Sequence, residues 1–211
     1  MSNNAAYAAA RRTFEKIRQA YPSHVAASQE FETALEALVN TYDTAIHENR
    51  FVVGGATELL LCAWLRALGL ACFPRSDLRT DLLIEGIAFS VKANYAHSST
   101  VRLINVLGES KSAAWAEPTL ALIGQEGLFY LDPGMQSLRQ ALRRRADVLE
   151  IRTGAILALA KTAWHIPLKV PRKPQTPTPS PRVASQDVAW AVLETIHSQT
   201  LREHFPKREA P

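Results

Sequence analysis

The stretch Thr80–Asn94, TDLLIEGIAFSVKAN, decides how the rest of the chain is read. Apolar residues fill most of it, Glu85-Gly86 interrupts them, and Asp81, Ser90 and Lys92 stand among them as polar exceptions. If Glu85-Gly86 is a two-residue turn, with glycine supplying the positive φ such turns need, the stretch is a hairpin. Ile84 then faces Ile87, Leu83 faces Ala88, Leu82 faces Phe89 and Asp81 faces Ser90. Side chains alternate along a strand, so Ser90 and Lys92 share a face. Asp81 falls opposite Ser90 and diagonal to Lys92, at roughly 5 and 7–8 Å by cross-strand geometry. An acid and a lysine in an apolar hairpin are either a structural ion pair or a working one.

Before the hairpin, Phe51–Phe73 carries only two charges, Glu58 and Arg66. The pattern predicts a helix that starts after Gly54-Gly55, runs to about Leu68 and is ended by Gly69. A helix apolar all round is buried. In its first turn Glu58 would gain at most about 1 kcal/mol from the helix dipole, far less than an unpaired carboxylate loses on leaving water. Glu58 therefore needs a cation: Lys92, Arg75 or a metal ion. Leu70–Arg75 reads as a short strand ended by Pro74, and Arg75, Asp77 and Arg79 as a polar loop.

Downstream of Lys92 the chain turns polar, with Asn94, Tyr95, His97, Ser98, Ser99, Thr100, Arg102 and Asn105. Thr119–Ile123 and Leu128–Leu131 read as two more strands around Gln125-Glu126-Gly127, and Asp132-Pro133-Gly134 as a turn. Gln136–Val148 reads as a helix with Arg143, Arg144 and Arg145 on a solvated face. Ile151–Ala163 fits helix or strand.

At the N-terminus, residues 3–20 place Tyr7, Ala10, Phe14 and Ile17 on one helical face. Pro22 interrupts, Ser23 can cap a second helix, and Phe31, Leu35, Leu38, Tyr42 and Ile46 carry that helix from His24 to about Glu48. Near the C-terminus PRKPQTPTPSP, residues 171–181, is an extended linker. Beyond it Ser185 can cap a last helix striped by Val188, Val192, Ile196 and Leu201. A helix that short needs a surface to dock on: its own core, a second copy or a partner. The expected divisions are residues 1–50, an N-terminal helical region; 51–170, the core; 171–185, the linker; and 186–211, the C-terminal helix.

The chain has 211 residues, 47% of them hydrophobic, enough for one well-packed core. No apolar run reaches the roughly 18 residues of a membrane span, so no membrane partner is expected. The first twenty residues lack the apolar stretch of a signal peptide. Cys62 and Cys72 both sit in apolar runs and read as buried thiols, which fits a reducing, cytoplasmic setting. No Cys/His spacing suits zinc and no Gly-rich loop suits a nucleotide. A net charge of +4 permits an anionic partner.

The order helix Glu58, strand, Asp81, turn, Ser90-Val91-Lys92 resembles the PD-(D/E)xK nuclease superfamily, which includes many type II restriction endonucleases. The resemblance covers about Phe51–Leu131, and Thr100–Gly108, TVRLINVLG, looks like the segments that follow the catalytic strand in such enzymes. It implies an α/β fold, a restriction-endonuclease-like mixed central sheet flanked by helices. It implies Mg²⁺ held by Asp81 and Glu58 with the Val91 carbonyl, and Lys92 orienting or deprotonating the attacking water. Ser90 departs from the pattern, because the family usually has an acid there. A hydroxyl is a poor neutral ligand for Mg²⁺. Glu58 is the natural substitute, and Glu85, at the turn, is a weaker one.

The implied partner is double-stranded DNA. Asn94, Ser98, Ser99, Arg102 and Asn105 follow the site directly and are candidates for contact with phosphates or base edges, and Arg75 and Arg79 for contact with backbone phosphates. Palindromic recognition would imply a homodimer, with the N-terminal helices as its contacts. The expected activity is site-specific DNA cleavage. The alternatives are a non-catalytic DNA-binding or assembly module on a degenerate nuclease core, suggested by Ser90, and a repair or junction nuclease.

Overall fold

In the computed structural model, the described residues are 3–42, 47–75, 80–105, 114–145, 148–172 and 184–206. The chain is a mixed α/β protein in three layers. The helices α1 (Asn3–Ala20), α2 (Val25–Thr41) and α3 (His47–Ala67) come first. The strands β1 (Cys72–Pro74), β2 (Leu82–Ile84) and β3 (Ile87–Asn94) follow as an antiparallel meander. β4 (Thr100–Asn105) leaves this sheet, and β5 (Thr119–Ile123) and β6 (Gly127–Leu131) return to it. Then come α4 (Gln136–Gln140), β7 (Leu142–Arg145), β8 (Val148–Arg152), α5 (Thr153–Leu157) and β9 (His165–Ile166). The short helices α6 (Ser185–Thr195) and α7 (Thr200–Glu203) end the described chain.

The large sheet has the order β1-β2-β3-β5-β6-β9, with β3 and β5 parallel and every other pair antiparallel. β5 and β6 are buried at every position, as expected of strands covered on both faces. On one face Phe89, Val91, Leu120, Leu122 and Tyr130 meet Phe14, Phe31, Leu35, Leu60 and Trp64 of the helices. On the other face Ala121, Ile123, Phe129 and Leu131 meet Val101, Leu103, Leu149 and Ile151. Those last four belong to a second, three-stranded sheet of order β4-β8-β7.

The hairpin has the register read from the sequence: Ile84 pairs with Ile87, Leu83 with Ala88 and Leu82 with Phe89. Glu85 (φ 51°) and Gly86 (φ 77°) both take the left-handed conformation of a type I′ turn. Gly69 (φ 85°) ends α3, and the Leu70 amide donates back to the Leu65 carbonyl at 3.1 Å.

Several expectations are corrected. α3 starts at His47, so Gly54 and Gly55 lie inside it. A side chain at Gly55 would come within 2.6 Å of the Ser185 hydroxyl, so this glycine lets α6 approach. α2 ends at Thr41 because Tyr42 is extended, and Ile46 lies outside the described residues. Neither Ser23 nor Ser185 caps a helix, since the N-cap positions are His24 and Ala184 and neither makes a side-chain cap. The helix expected over Gln136–Val148 stops at Gln140, and Arg143–Arg145 form β7, an edge strand held by pairing with β8. The apolar stripes of α1 and α2, offered as dimer contacts, are taken up by the chain's own core.

The C-terminal helices also dock on that core, against α2 and α3. The Glu30 carboxylate of α2 accepts hydrogen bonds from the Ser198 hydroxyl (2.6 Å), the Thr200 hydroxyl (2.8 Å), the Leu201 amide (3.1 Å) and the Thr200 amide (3.3 Å). On the opposite side α1 is anchored by Arg11, which forms a two-pronged pair with the fully buried Asp132 at 2.7 and 2.9 Å. No helix among the described residues is long and apolar enough to cross a membrane.

Candidate active site

Asp81 lies one residue before β2, where its amide still donates to the Phe89 carbonyl at 2.8 Å and its carbonyl accepts from the Arg75 amide at 2.9 Å. Both bonds fix the backbone and aim the carboxylate at β3. Asp81 Oδ2 accepts from the Val91 amide at 2.6 Å and from the Ser90 hydroxyl at 3.0 Å, and lies 3.5 Å from Lys92 Nζ. The diagonal pair expected from the hairpin is therefore present. Both side chains keep some access to water, at 28% for Lys92 and 23% for Asp81, so the pair is a partly open one.

Phe89 and Val91 belong to the helix-side core, so Ser90, Lys92 and Asn94 point to the other face of the large sheet. That is the face on which the small sheet packs. β2 begins only at Leu82, so it pairs with none of the outer half of β3. Glu58 lies on α3, a helix that packs against β3. It is half-buried, and it feels the charges of both Asp81 and Lys92. Its carboxyl is pushed up to about 7, first by burial and then by repulsion from Asp81, with Lys92 acting the other way. The charges at Glu58, Asp81 and Lys92 thus form one electrostatic cluster. Because α3 begins at His47, Glu58 sits in the helix interior and the dipole of the first turn gives it no help.

Two carboxylates beside a lysine fit a magnesium ion, which takes one or two protein carboxylates and keeps several waters. Asp81 Oδ2 is engaged by three donors, which leaves Oδ1 to face an ion. No group of three His, Cys, Asp or Glu side chains suited to a metal occurs among the described residues. The donor set is therefore lean, and Ser90 supplies a hydroxyl bond to Asp81 where a third carboxylate would otherwise stand. Val91 is buried, and its amide holds Asp81. Glu85 is turned elsewhere: it accepts from the Ala71 amide at 2.8 Å and pairs with Lys16 at 3.0 Å.

The residues named for DNA contact divide into two kinds. Asn94 is buried; its Nδ2 donates to the Ser98 carbonyl and to Thr153 Oγ1, and its Oδ1 accepts from the Ser98 amide and hydroxyl. Its bonding capacity is used inside the chain, where it braces the turn that leads from β3 to β4. Ser98, Ser99 and Arg102 are exposed. Arg75 is exposed at the end of β1. Asn105 closes β4, and Arg79 lies outside the described residues. His97 (φ 51°) lies 3.4 Å from Glu126, and His165 bridges the carbonyls of Glu126 and Ala160. Neither histidine is in the Asp81 cluster.

Ser98, Ser99 and Thr100 also line an open cleft of about 640 Å³ with Arg143, Arg152 and Thr153. Nothing local in the sequence signals this cleft, because it assembles from three separate segments. Thr153 in its wall bonds both Asn94 and the Ser98 carbonyl, so the cleft is joined to β3 two residues beyond Lys92.

No family model matches the chain, and neither a curated protein nor a solved structure matches it.

Proposed function

We propose that this chain is a Mg²⁺-dependent endonuclease of double-stranded DNA, cutting at a specific sequence as a type II restriction enzyme does. The observation that carries the reading is the meeting of Asp81, Lys92 and Glu58 at the open half of β3. A mixed central sheet with helices on one face and a small sheet on the other is compatible with an α/β fold, the class that the PD-(D/E)xK resemblance implies. Asp81 Oδ1 and Glu58, with the Val91 carbonyl, would hold the ion. Bound Mg²⁺ offsets phosphate charge and makes a coordinated water acidic. Lys92 would orient or deprotonate the attacking water and balance charge on the phosphoryl oxygens. The Ser90 and Val91 donors hold the Asp81 carboxylate in its place beside β3. Under this reading a second copy, related by a two-fold axis, would match a palindromic site.

The test is incubation of the purified chain with several unrelated phage DNAs, in Mg²⁺ and in EDTA. Discrete fragments that require Mg²⁺ are expected, and their loss in both Asp81→Ala and Lys92→Ala. Undiminished cutting by either folded variant would end the assignment. The second reading, a non-catalytic DNA-binding module, is favoured by Ser90 standing in place of an acid. Intact DNA in every metal, with binding retained, would establish it.

A further inference from the structure

We infer that the outward face of the small sheet is the surface on which duplex DNA docks, with its arginines holding backbone phosphates. The inference rests on the nuclease reading and assigns that site its substrate track. The register places Arg102 of β4 and Arg143 of β7 on either side of Glu150 of β8. Alternation along the strands puts Arg145 and Arg152 on the same face, while Val101, Leu103, Leu149 and Ile151 turn inward to the core. All four arginines are exposed, and none forms an ion pair among the described residues. Among the described residues of this face, Glu150 is the acid set among them, and it accepts the Thr100 hydroxyl at 3.1 Å. Among the described residues this face thus gathers an excess of positive charge, which an anion covering it would offset.

Three features select duplex DNA as that anion. Arg102 and Arg143 are two strand spacings apart, about 10 Å, a span of roughly three nucleotides along one strand. The cleft at the end of this face sets the exposed Ser99, a hydroxyl donor suited to a phosphate oxygen, beside Arg143 and Arg152. Finally, the face lies on the same side of the large sheet as Ser90 and Lys92. The Asn94–Thr153 bond ties the cleft to β3 within about 7 Å of strand from Lys92. The cleft that continues the arginine face is thus joined to the strand that carries Lys92.

The experiment measures binding of the full chain to a fluorescent mixed-sequence duplex in EDTA across a series of KCl concentrations, and cleavage separately in Mg²⁺. The variants are Arg102→Gln, Arg143→Gln and Arg152→Gln, with Arg18→Gln, exposed on α1 on the helix side, as a variant whose docking face is intact. Each arginine variant of the face is expected to lower the slope of log affinity against log salt by about 0.9, the value for one released phosphate contact. Arg18→Gln should keep the wild-type slope. Wild-type slopes in all three arginine variants of the face would overturn the docking face even if the chain cleaves DNA. A salt-dependent loss in these variants without cleavage by the wild type would keep the face and remove the nuclease. Absence of duplex binding by the wild type would remove both.

Discussion

The Ser90 hydroxyl donates to Asp81 across the hairpin at 3.0 Å, at the place where the PD-(D/E)xK pattern puts a second acid. Ser90→Asp would set two carboxylates side by side, with Glu58 close by. Without metal, like charges repel, and the variant should melt below the wild type in EDTA. With Mg²⁺ the added ligand should tighten binding by tenfold or more. Calorimetric titration of Mg²⁺ together with melting in EDTA checks both signs. Unchanged affinity would show that Ser90 does not face the ion.

Glu58 gives the fold a pH dependence of unusual sign. An unfolded carboxyl loses its proton near 4.5, while the folded one keeps it to about 7. Between those values the unfolded chain binds fewer protons, so this residue's contribution is complete below 4.5 and is lost as pH rises to about 7. The loss is at most on the order of 3 kcal/mol, less what water screens. Glu58→Gln should remove it. Urea melts of both proteins at about pH 5 and about pH 8 give the comparison, and equal pH dependence would refute the assignment.

Glu30 behaves in the opposite way. Burial raises its pKa, but the bonds from Ser198, Thr200 and Leu201 outweigh that and hold the carboxyl below its ordinary value. Its contribution is present at neutral pH and disappears on acidification through the depressed value. Glu30→Ala should cost roughly 2–4 kcal/mol, because four donors lose a charged acceptor. Hydrogen exchange should show the loss concentrated in residues 184–206.

The Arg11–Asp132 pair is asymmetric, with the arginine side chain 36% exposed and the aspartate fully buried. Removing the arginine strands a buried carboxylate; removing the aspartate leaves a cation that water can reach. Arg11→Met should therefore destabilise the chain by about 3–5 kcal/mol, and Asp132→Asn by clearly less. Chemical denaturation of the two variants orders them. The reverse order would contradict the burial argument.

The hairpin was legible from sequence because two local signals agree. Leu82–Ile84 and Ile87–Val91 give the pairing, and Glu85-Gly86 gives a two-residue turn that satisfies it. Glu58 was legible by another route, since a lone acid in an apolar helix must meet a cation. Arg143–Arg145 was not legible as a strand. Arginine favours helix, the run has no period, and only pairing with Val148–Glu150 makes it extended. The Gly54-Gly55 boundary failed for a related reason. Two glycines look like a break in isolation, but Gly55 is used for the approach of Ser185, which lies far away in sequence. The internal bonding of Asn94 is not legible either, because its partner Thr153 is equally distant in sequence.

The seat of the C-terminal helices has a consequence for cutting the polypeptide. Ser185 packs on Gly55 of the helix that bears Glu58, and Glu30 grips the segment from Ser198 to Leu201. A protease nick between Arg172 and Ala184 should therefore leave two fragments that copurify and reassemble when mixed. A chain shortened to the first fragment would lose the backing of α3, and with it the placement of Glu58. The proline-rich segment resembles a domain border, yet the acid-bearing helix needs residues from both sides of it.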